Sequence, residues 1–204
     1  MHIEFLLEEE SCAETLKRII PKIIGDATSF EFHVFQGKTD LLNSLPARLQ
    51  GYSKWLPKDW RVLVLVDRDN DECGALKATL EEIARTSGLT TLSASKPGEQ
   101  VQVLNRIAVE ELEAWFFGDV PALTRAYPRI PATLSNKKGF RDSDAILGGT
   151  WETLERVLQD AGYYAAGMPK LEVARQISAN MDPARNSSRS FQIFCDGLKR
   201  LLNS

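Results

Sequence analysis

Acidic side chains in this sequence gather where an α/β protein would do chemistry. The segment VLVLVDRDNDEC places Asp67 and Asp69 directly after the apolar run Arg61–Val66. Residues two apart on extended backbone share a face, so both carboxylates can point into one crevice. Asp71 extends the series, and Glu8 and Glu9 hold the equivalent place after the apolar run Ile3–Leu7. If those two runs are neighbouring strands, about four carboxylates converge. Two unpaired carboxylates ~4 Å apart repel by ~1 kcal/mol in bulk water and ~4 kcal/mol at an effective dielectric of 20. A cluster of this kind calls for a cation or for protonation. Oxygen ligands in a chain with only two histidines, His2 and His33, point to Mg²⁺ or Mn²⁺ rather than zinc. The plainer alternative is that these acids form turns and helix caps, with Asp71 capping the helix that follows.

A second acidic element, RIAVEELEAWFFGD, sets Glu110 and Glu113 three apart, hence on one helical face, with Glu111 turned away. Placed just after a strand, that face would reach the same crevice; the ordinary alternative is a solvated side of an amphipathic helix. The metal set read from the sequence is therefore Glu8, Asp67, Asp69, Asp71, Glu110 and Glu113. Lys38, Arg68 and Arg106 are candidates to bind an anionic substrate, and Lys170, opening a helix at Met168-Pro169-Lys170, is a candidate to meet a phosphate. Farther on, Arg125, Arg129, Lys137, Lys138, Arg141, Arg185 and Arg189 lie among Tyr127, Phe140 and Phe191, a composition that could track a phosphodiester backbone.

Spacing removes several rivals. Asp67, Asp69 and Asp71 open like a calcium-binding EF-hand loop, but its sixth position is Glu72 rather than glycine and its twelfth is Ala78 rather than glutamate. Gly37-Lys38-Thr39 ends like a phosphate-binding P-loop, yet the required first glycine falls on Phe32. There is no GxGxxG, and no GxSxG elbow to present a nucleophilic serine. A nucleotidyl or glycosyl transferase using a metal-bound DxD is left open.

The elements that must position these groups follow from hydrophobic period. Ile3–Leu7, Phe30–Phe35, Arg61–Val66, Leu89–Ala94 and Val101–Ile107 read as strands. Arg61–Val66 has no polar residue after Arg61, as expected of a strand buried on both faces in the middle of a parallel sheet. Cys12–Ile24, Thr39–Leu49 (bent or restarted by Pro46), Glu72–Ser87 and Val109–Phe117 read as helices. This alternation predicts an α/β, Rossmann-like, mostly parallel sheet flanked by helices over residues 1–120. Residues 121–204 form a loop-rich helical extension packed on that core, with helices over Trp151–Ala161, Lys170–Met181 and Phe191–Leu202. Trp55, Trp60, Trp115 and Trp151 read as packing residues at helix–sheet contacts.

The chain has 204 residues, 25 basic and 28 acidic, for a net charge of -3. Residues 1–118 carry 13 basic and 19 acidic side chains, and residues 119–204 carry 12 and 9, so the second part is the one able to face a phosphate backbone. Three cysteines, odd in number and without a CxxC, argue against a disulfide framework or a structural zinc site and for a reducing, cytoplasmic setting. No apolar run approaches a membrane span, and the start of the chain lacks a basic leader.

A strand-end glutamate followed by a later apolar strand ending in DxD resembles the Toprim domain of topoisomerases, primases and OLD nucleases. The resemblance aligns LLEEESCAETL with the Toprim glutamate element at Glu8 and VDRDND with its DxD at Asp67 and Asp69; Glu9 stands where that family usually has glycine, and Cys12 where a second acid often sits. The blocks FQGKTDLL, VLVDRDNDEC, NRIAVEELEAWFFGD and GMPKLEVARQIS are similar to an uncharacterised bacterial Toprim-related family often encoded beside an AAA or SMC-like ATPase. The last block also resembles the late lysine-bearing helix of OLD nucleases. The resemblance implies a Toprim fold and a Mg²⁺- or Mn²⁺-dependent nuclease acting on DNA or RNA, in phage defence or repair, with an ATPase partner. It implies Glu8, Asp67, Asp69 and Lys170 as the catalytic set. The competing expectation is a non-catalytic adaptor or sensor for such an ATPase or for nucleic acid.

Overall fold

The computed structural model describes residues 1–25 and 27–204. Four strands, β1 (His2–Leu7), β2 (Ser29–Val34), β3 (Trp60–Asp67) and β4 (Val103–Ala108), form one sheet in the order β2-β1-β3-β4. Every pairing is parallel, with Leu7 beside Val34 and Leu65, and Asp67 beside Ala108. The helices α1 (Glu10–Ile24), α2 (Lys38–Trp55) and α3 (Cys73–Thr86) connect them, as parallel strands require. The chain continues through α4 (Glu113–Phe117), α5 (Val120–Ala126), three short 3₁₀ turns, α6 (Thr150–Asp160), α7 (Lys170–Asn180) and α8 (Arg189–Leu202). The α/β class with an all-parallel sheet is as the hydrophobic period predicts.

Strand alternation divides the core in two. Ile3, Phe5, Leu7, Leu63, Leu65 and Leu104 face one side; Leu6, Val62, Val64, Val66 and Val103 face the other, against Leu41, Leu45 and Leu49 of α2 and Leu76 and Leu80 of α3. β3 is thus covered on both faces, which is why its sequence carries no polar alternation. On the first side, Leu154, Leu158, Val173, Ile177, Phe191, Phe194 and Leu198 join Leu16, Ile19 and Ile20 in one continuous cluster. Segments on both sides of residue 120 therefore share one core, and α7 packs directly on α1.

Four local expectations are corrected. Leu89–Ala94 is not a strand: it makes one isolated bridge, Thr91 beside Val103, through Leu92 N–H to Val103 O and Val103 N–H to Thr90 O, and then the N–H groups of Ala94 and Ser95 fold back onto the Thr91 carbonyl. The helix expected over Val109–Phe117 starts at Glu113, since Glu110 adopts a left-handed conformation (φ 60°). Pro46 does not break α2, which runs unbroken from Lys38 to Trp55. Trp55 is 56% exposed rather than packed between layers, whereas Trp115 is fully buried against Phe191 and Phe194.

Candidate functional site at the strand ends

β1 and β3 are neighbours, so the residues following them meet at the C-terminal edge of the sheet, where open α/β proteins place their ligands. Glu8 Oε1 accepts a hydrogen bond from the Asp67 N–H at 2.8 Å, tying the two strand ends together. Beyond Asp67 the main chain keeps pairing with the exit of β4: Arg68 N–H donates to Ala108 O, and Asp69 N–H donates to Glu110 O. Asp69 (φ 48°) and Glu110 (φ 60°) are both left-handed at this junction. Non-glycine residues hold that conformation at a cost of about 1–3 kcal/mol each, and such strain concentrates at functional sites.

Two groups of charges result. The inner group is Glu8, Glu9, Asp67 and Glu113, with Lys170 reaching in from the start of α7. Glu113 is 1% exposed and Glu8 9% exposed. Burial pushes each carboxyl up to about 7, against the pull of Lys170 on Glu113 and of the Asp67 N–H and Lys38 on Glu8. Asp67 is held well above the usual carboxylate range by burial and by the charges of Glu113, Glu8, Glu9 and Asp69. Lys170 Nζ lies 2.7 Å from Glu9 Oε1 and 3.9 Å from Glu113 Oε1, and sits 4.9 Å from the centre of the Trp151 ring. Burial opposes its charge, but Glu113, Glu9 and Asp67 prevail and keep the ammonium above its ordinary range. The buried Cys12 thiol adjoins the same acids and is raised by burial, then by Asp67, Glu9, Glu8 and Glu113. Glu113 Oε2 has no hydrogen-bond partner among the described residues.

The outer group is organised by Lys38, at the start of α2. Its Nζ lies 2.7 Å from Asp69 Oδ2 and 2.9 Å from Asp71 Oδ2, and donates to Arg68 O at 3.0 Å. Arg68 pairs with Glu110. A cavity of about 300 Å³ opens here, lined by Asp69, Asn70, Glu110, Glu111, Gly148, Gly149 and Glu152.

Of the residues singled out by sequence, Glu8, Asp67, Asp69, Asp71, Glu110, Glu113, Lys38, Arg68 and Lys170 all belong to these two groups. Glu110 and Glu113 do not share a helical face, however: only Glu113 is helical, and Glu110 turns to Arg68 instead. Arg106 is elsewhere, donating to Ile193 O and Asn105 O beneath Gly197 of α8, so it fastens β4 to α8 and faces none of these acids. Glu72, not Asp71, caps α3, accepting from the N–H groups of Gly74 and Ala75. Arg185 is spent in a two-pronged pair with the fully buried Asp119, and Arg129 lies over Tyr163. The sequence reading missed the role of Glu9 as the anchor of Lys170 and that of Glu111, which accepts from Thr150 Oγ1 and Trp151 N–H and so holds the start of α6 against the site. Glu9 already stood out as an acid in a position the resemblance reserves for glycine.

The donor set is mainly carboxylate oxygen, which suits a hard divalent cation, with the buried Cys12 thiol as a sulfur beside it; burial, joined at Asp67 by like charge, raises three of the carboxyls, so a cation beside them would be favoured. In this arrangement the lysines satisfy part of that demand. Among the described residues, no three of these acids bring one ligand atom each within 4.8 Å of one another; the only trio that does is His2, Glu4 and Glu31, on another part of the sheet.

The fold and site define a parallel α/β protein with a lysine-bridged carboxylate cluster at the carboxyl ends of its strands. The chain belongs to the family described as Domain of unknown function (DUF4276), whose model matches residues 7–199. No curated protein and no solved structure matches it. The link to the Toprim domain rests on the motif resemblance alone. No helix among the described residues is long and apolar enough to cross a membrane.

Proposed function

We propose that this protein is a Mg²⁺- or Mn²⁺-dependent nuclease of Toprim type, hydrolysing phosphodiesters of DNA or RNA and working with an AAA or SMC-like ATPase. The observation that carries the reading is the inner group: buried Glu113 with an unpartnered oxygen, beside Glu8 and Asp67, at the edge of the sheet where ligands bind. Glu8, Asp67 and Asp69, with Asp71, would hold the cation, and Glu113 and Glu110 would complete a second position. A bound divalent ion supplies Lewis-acid stabilisation of phosphate oxygens and a more acidic water. The chain's own residues do the rest. Lys170, released from Glu9, neutralises charge building on the phosphate, and Trp151 keeps its ammonium aimed inward. Lys38 and Arg68 bind the flanking phosphates from the outer group.

A second reading, a non-catalytic adaptor for an ATPase or nucleic acid, is favoured by one observation: Lys38, Arg68 and Lys170 are all already in ion pairs. The two are separated by metal-dependent cleavage of single- and double-stranded DNA and RNA, with the ATPase present, in the wild type and in Asp67→Ala. Cleavage that disappears in a folded Asp67→Ala variant supports the nuclease. Cleavage unchanged by Asp67→Ala refutes the assignment of the site, and Mn²⁺ binding without cleavage of any substrate favours the adaptor.

A further inference from the structure

The chain has two histidines, and both rest on one carboxylate. In the parallel register of β1 and β2, His2 lies beside Ser29, Glu4 beside Glu31, and Leu6 beside His33. His2, Glu4, Ser29, Glu31 and His33 therefore share the sheet face covered by α2. His2 Nε2 is 3.0 Å from Glu4 Oε1, His33 Nε2 contacts Glu4 Oε2, and Tyr52 Oη donates to Glu4 Oε2 at 3.1 Å. Glu4 is 4% exposed, while Glu31 stands at the exposed edge beside it. His2, Glu4 and Glu31 each bring one ligand atom within 4.8 Å of the others.

The His2 ring spans two oxygens: Nδ1 lies 2.8 Å from Ser29 Oγ, and Nε2 lies 3.0 Å from Glu4 Oε1. Nε2 is thus the nitrogen turned to the carboxylates. A metal ion on Nε2 would leave the ring proton on Nδ1, with the Ser29 oxygen in place to accept it. An Nδ1–H bond to a neighbouring oxygen is also the support by which metal-binding histidines fix their tautomer and ring orientation.

We propose that His2, Glu4 and Glu31 form a site for a transition-metal ion of the zinc class, with His33, which here holds the other oxygen of Glu4 and lies outside that trio, turning in as a fourth ligand. Two imidazoles and two carboxylates suit a four-coordinate Zn²⁺, whereas Mg²⁺ and Ca²⁺ take oxygen shells. The 3.0 Å between His2 Nε2 and Glu4 Oε1 is near the ~3.3 Å edge of a tetrahedron with ~2.0 Å bonds. Glu4 and Glu8 are four residues apart along β1 and its exit, roughly 13 Å of extended chain, so this site is separate from the strand-end carboxylates and independent of the nuclease reading. An ion here would clip the edge strand β2 to β1.

Metal-free protein titrated with Zn²⁺ and with Co²⁺ tests the proposal, with the histidine ring resonances followed by NMR and four-coordinate Co²⁺ by its visible bands. The expected result is one equivalent whose binding shifts both the His2 and His33 ring signals, any uptake by the strand-end carboxylates moving neither. Binding read at the histidines should be lost in His2→Ala and Glu4→Gln and weakened about 10–100-fold in Ser29→Ala. Because Glu4→Gln disturbs a buried network, His33→Ala and the wild-type ring signals serve if that variant does not fold. The exposed thiol of Cys73 is a rival ligand, so the titration is repeated in Cys73→Ser. Absence of stoichiometric binding, unmoved histidine signals, full affinity in folded His2→Ala, or loss of binding in Cys73→Ser would each overturn the site.

Discussion

Replacing Glu113 by glutamine should change how stability depends on pH. The Glu113 carboxyl is 1% exposed and is pushed from 4.5 up to about 7, chiefly by burial, with Lys170 opposing and Glu9 adding to the rise. In the unfolded chain it ionises near 4.5. Between those values the folded metal-free protein keeps a proton that the unfolded chain has released, so stability falls as pH rises from about 4.5 and levels off above about 7. At about 1.4 kcal/mol per pH unit, the interval corresponds to about 3 kcal/mol. Glutamine does not titrate, so Glu113→Gln removes this part of the slope while Glu8 and Asp67 keep theirs. Urea unfolding with EDTA at pH 5 and pH 8 measures the difference. The variant should gain about 2–3 kcal/mol relative to wild type on going to pH 8. A wild-type-minus-variant difference constant to within about 1 kcal/mol across that range would refute the reasoning, because Glu113 would then titrate alike in both states.

Three further outcomes follow from named contacts. Lys170→Met should leave the fold intact by circular dichroism yet abolish any metal-dependent cleavage, and it should steepen the pH fall in stability by removing the cation that holds Glu113 down. Ser188→Ala deletes the α8 cap that accepts the Phe191 N–H at 3.1 Å, at a cost of about 1–2 kcal/mol in urea unfolding. Gly118→Ala would set a methyl 2.2 Å from Asn186 Oδ1 and 2.8 Å from the Ser188 nitrogen, costing about 1–3 kcal/mol by thermal melting because backbone must shift.

Hydrophobic period alone reveals the parallel sheet, because β3 carries its double burial as an unbroken apolar run and α1, α6, α7 and α8 carry clear helical stripes. The acids after β1 and β3 are predictable for the same reason: parallel strands end on one edge. What period cannot supply is pairing across long separations. The late start of α4 depends on Glu110 turning to Arg68, 42 residues earlier in the chain. Lys170 finds Glu9 across 161 residues, so a lysine expected to be free for phosphate is first a counter-ion. The apolar run at Leu89–Ala94 looks like a strand, yet its turn-back onto Thr91 is a backbone event that side-chain patterns do not encode. The two histidines, read one at a time, give no hint that they share Glu4.

The placement of Lys170 on α7 has a consequence for biosynthesis. The carboxylates of β1, β3 and α4 emerge first, and the cation that balances the innermost of them arrives only after another 57 residues beyond Glu113 have been made. Until then Lys38 and Arg68 can already pair with Asp69, Asp71 and Glu110, but Glu9 and Glu113 lack the ammonium that lies against them in the finished fold. A chain interrupted before α7 would therefore lack both the packing partner of α1 and the counter-charge of the cluster.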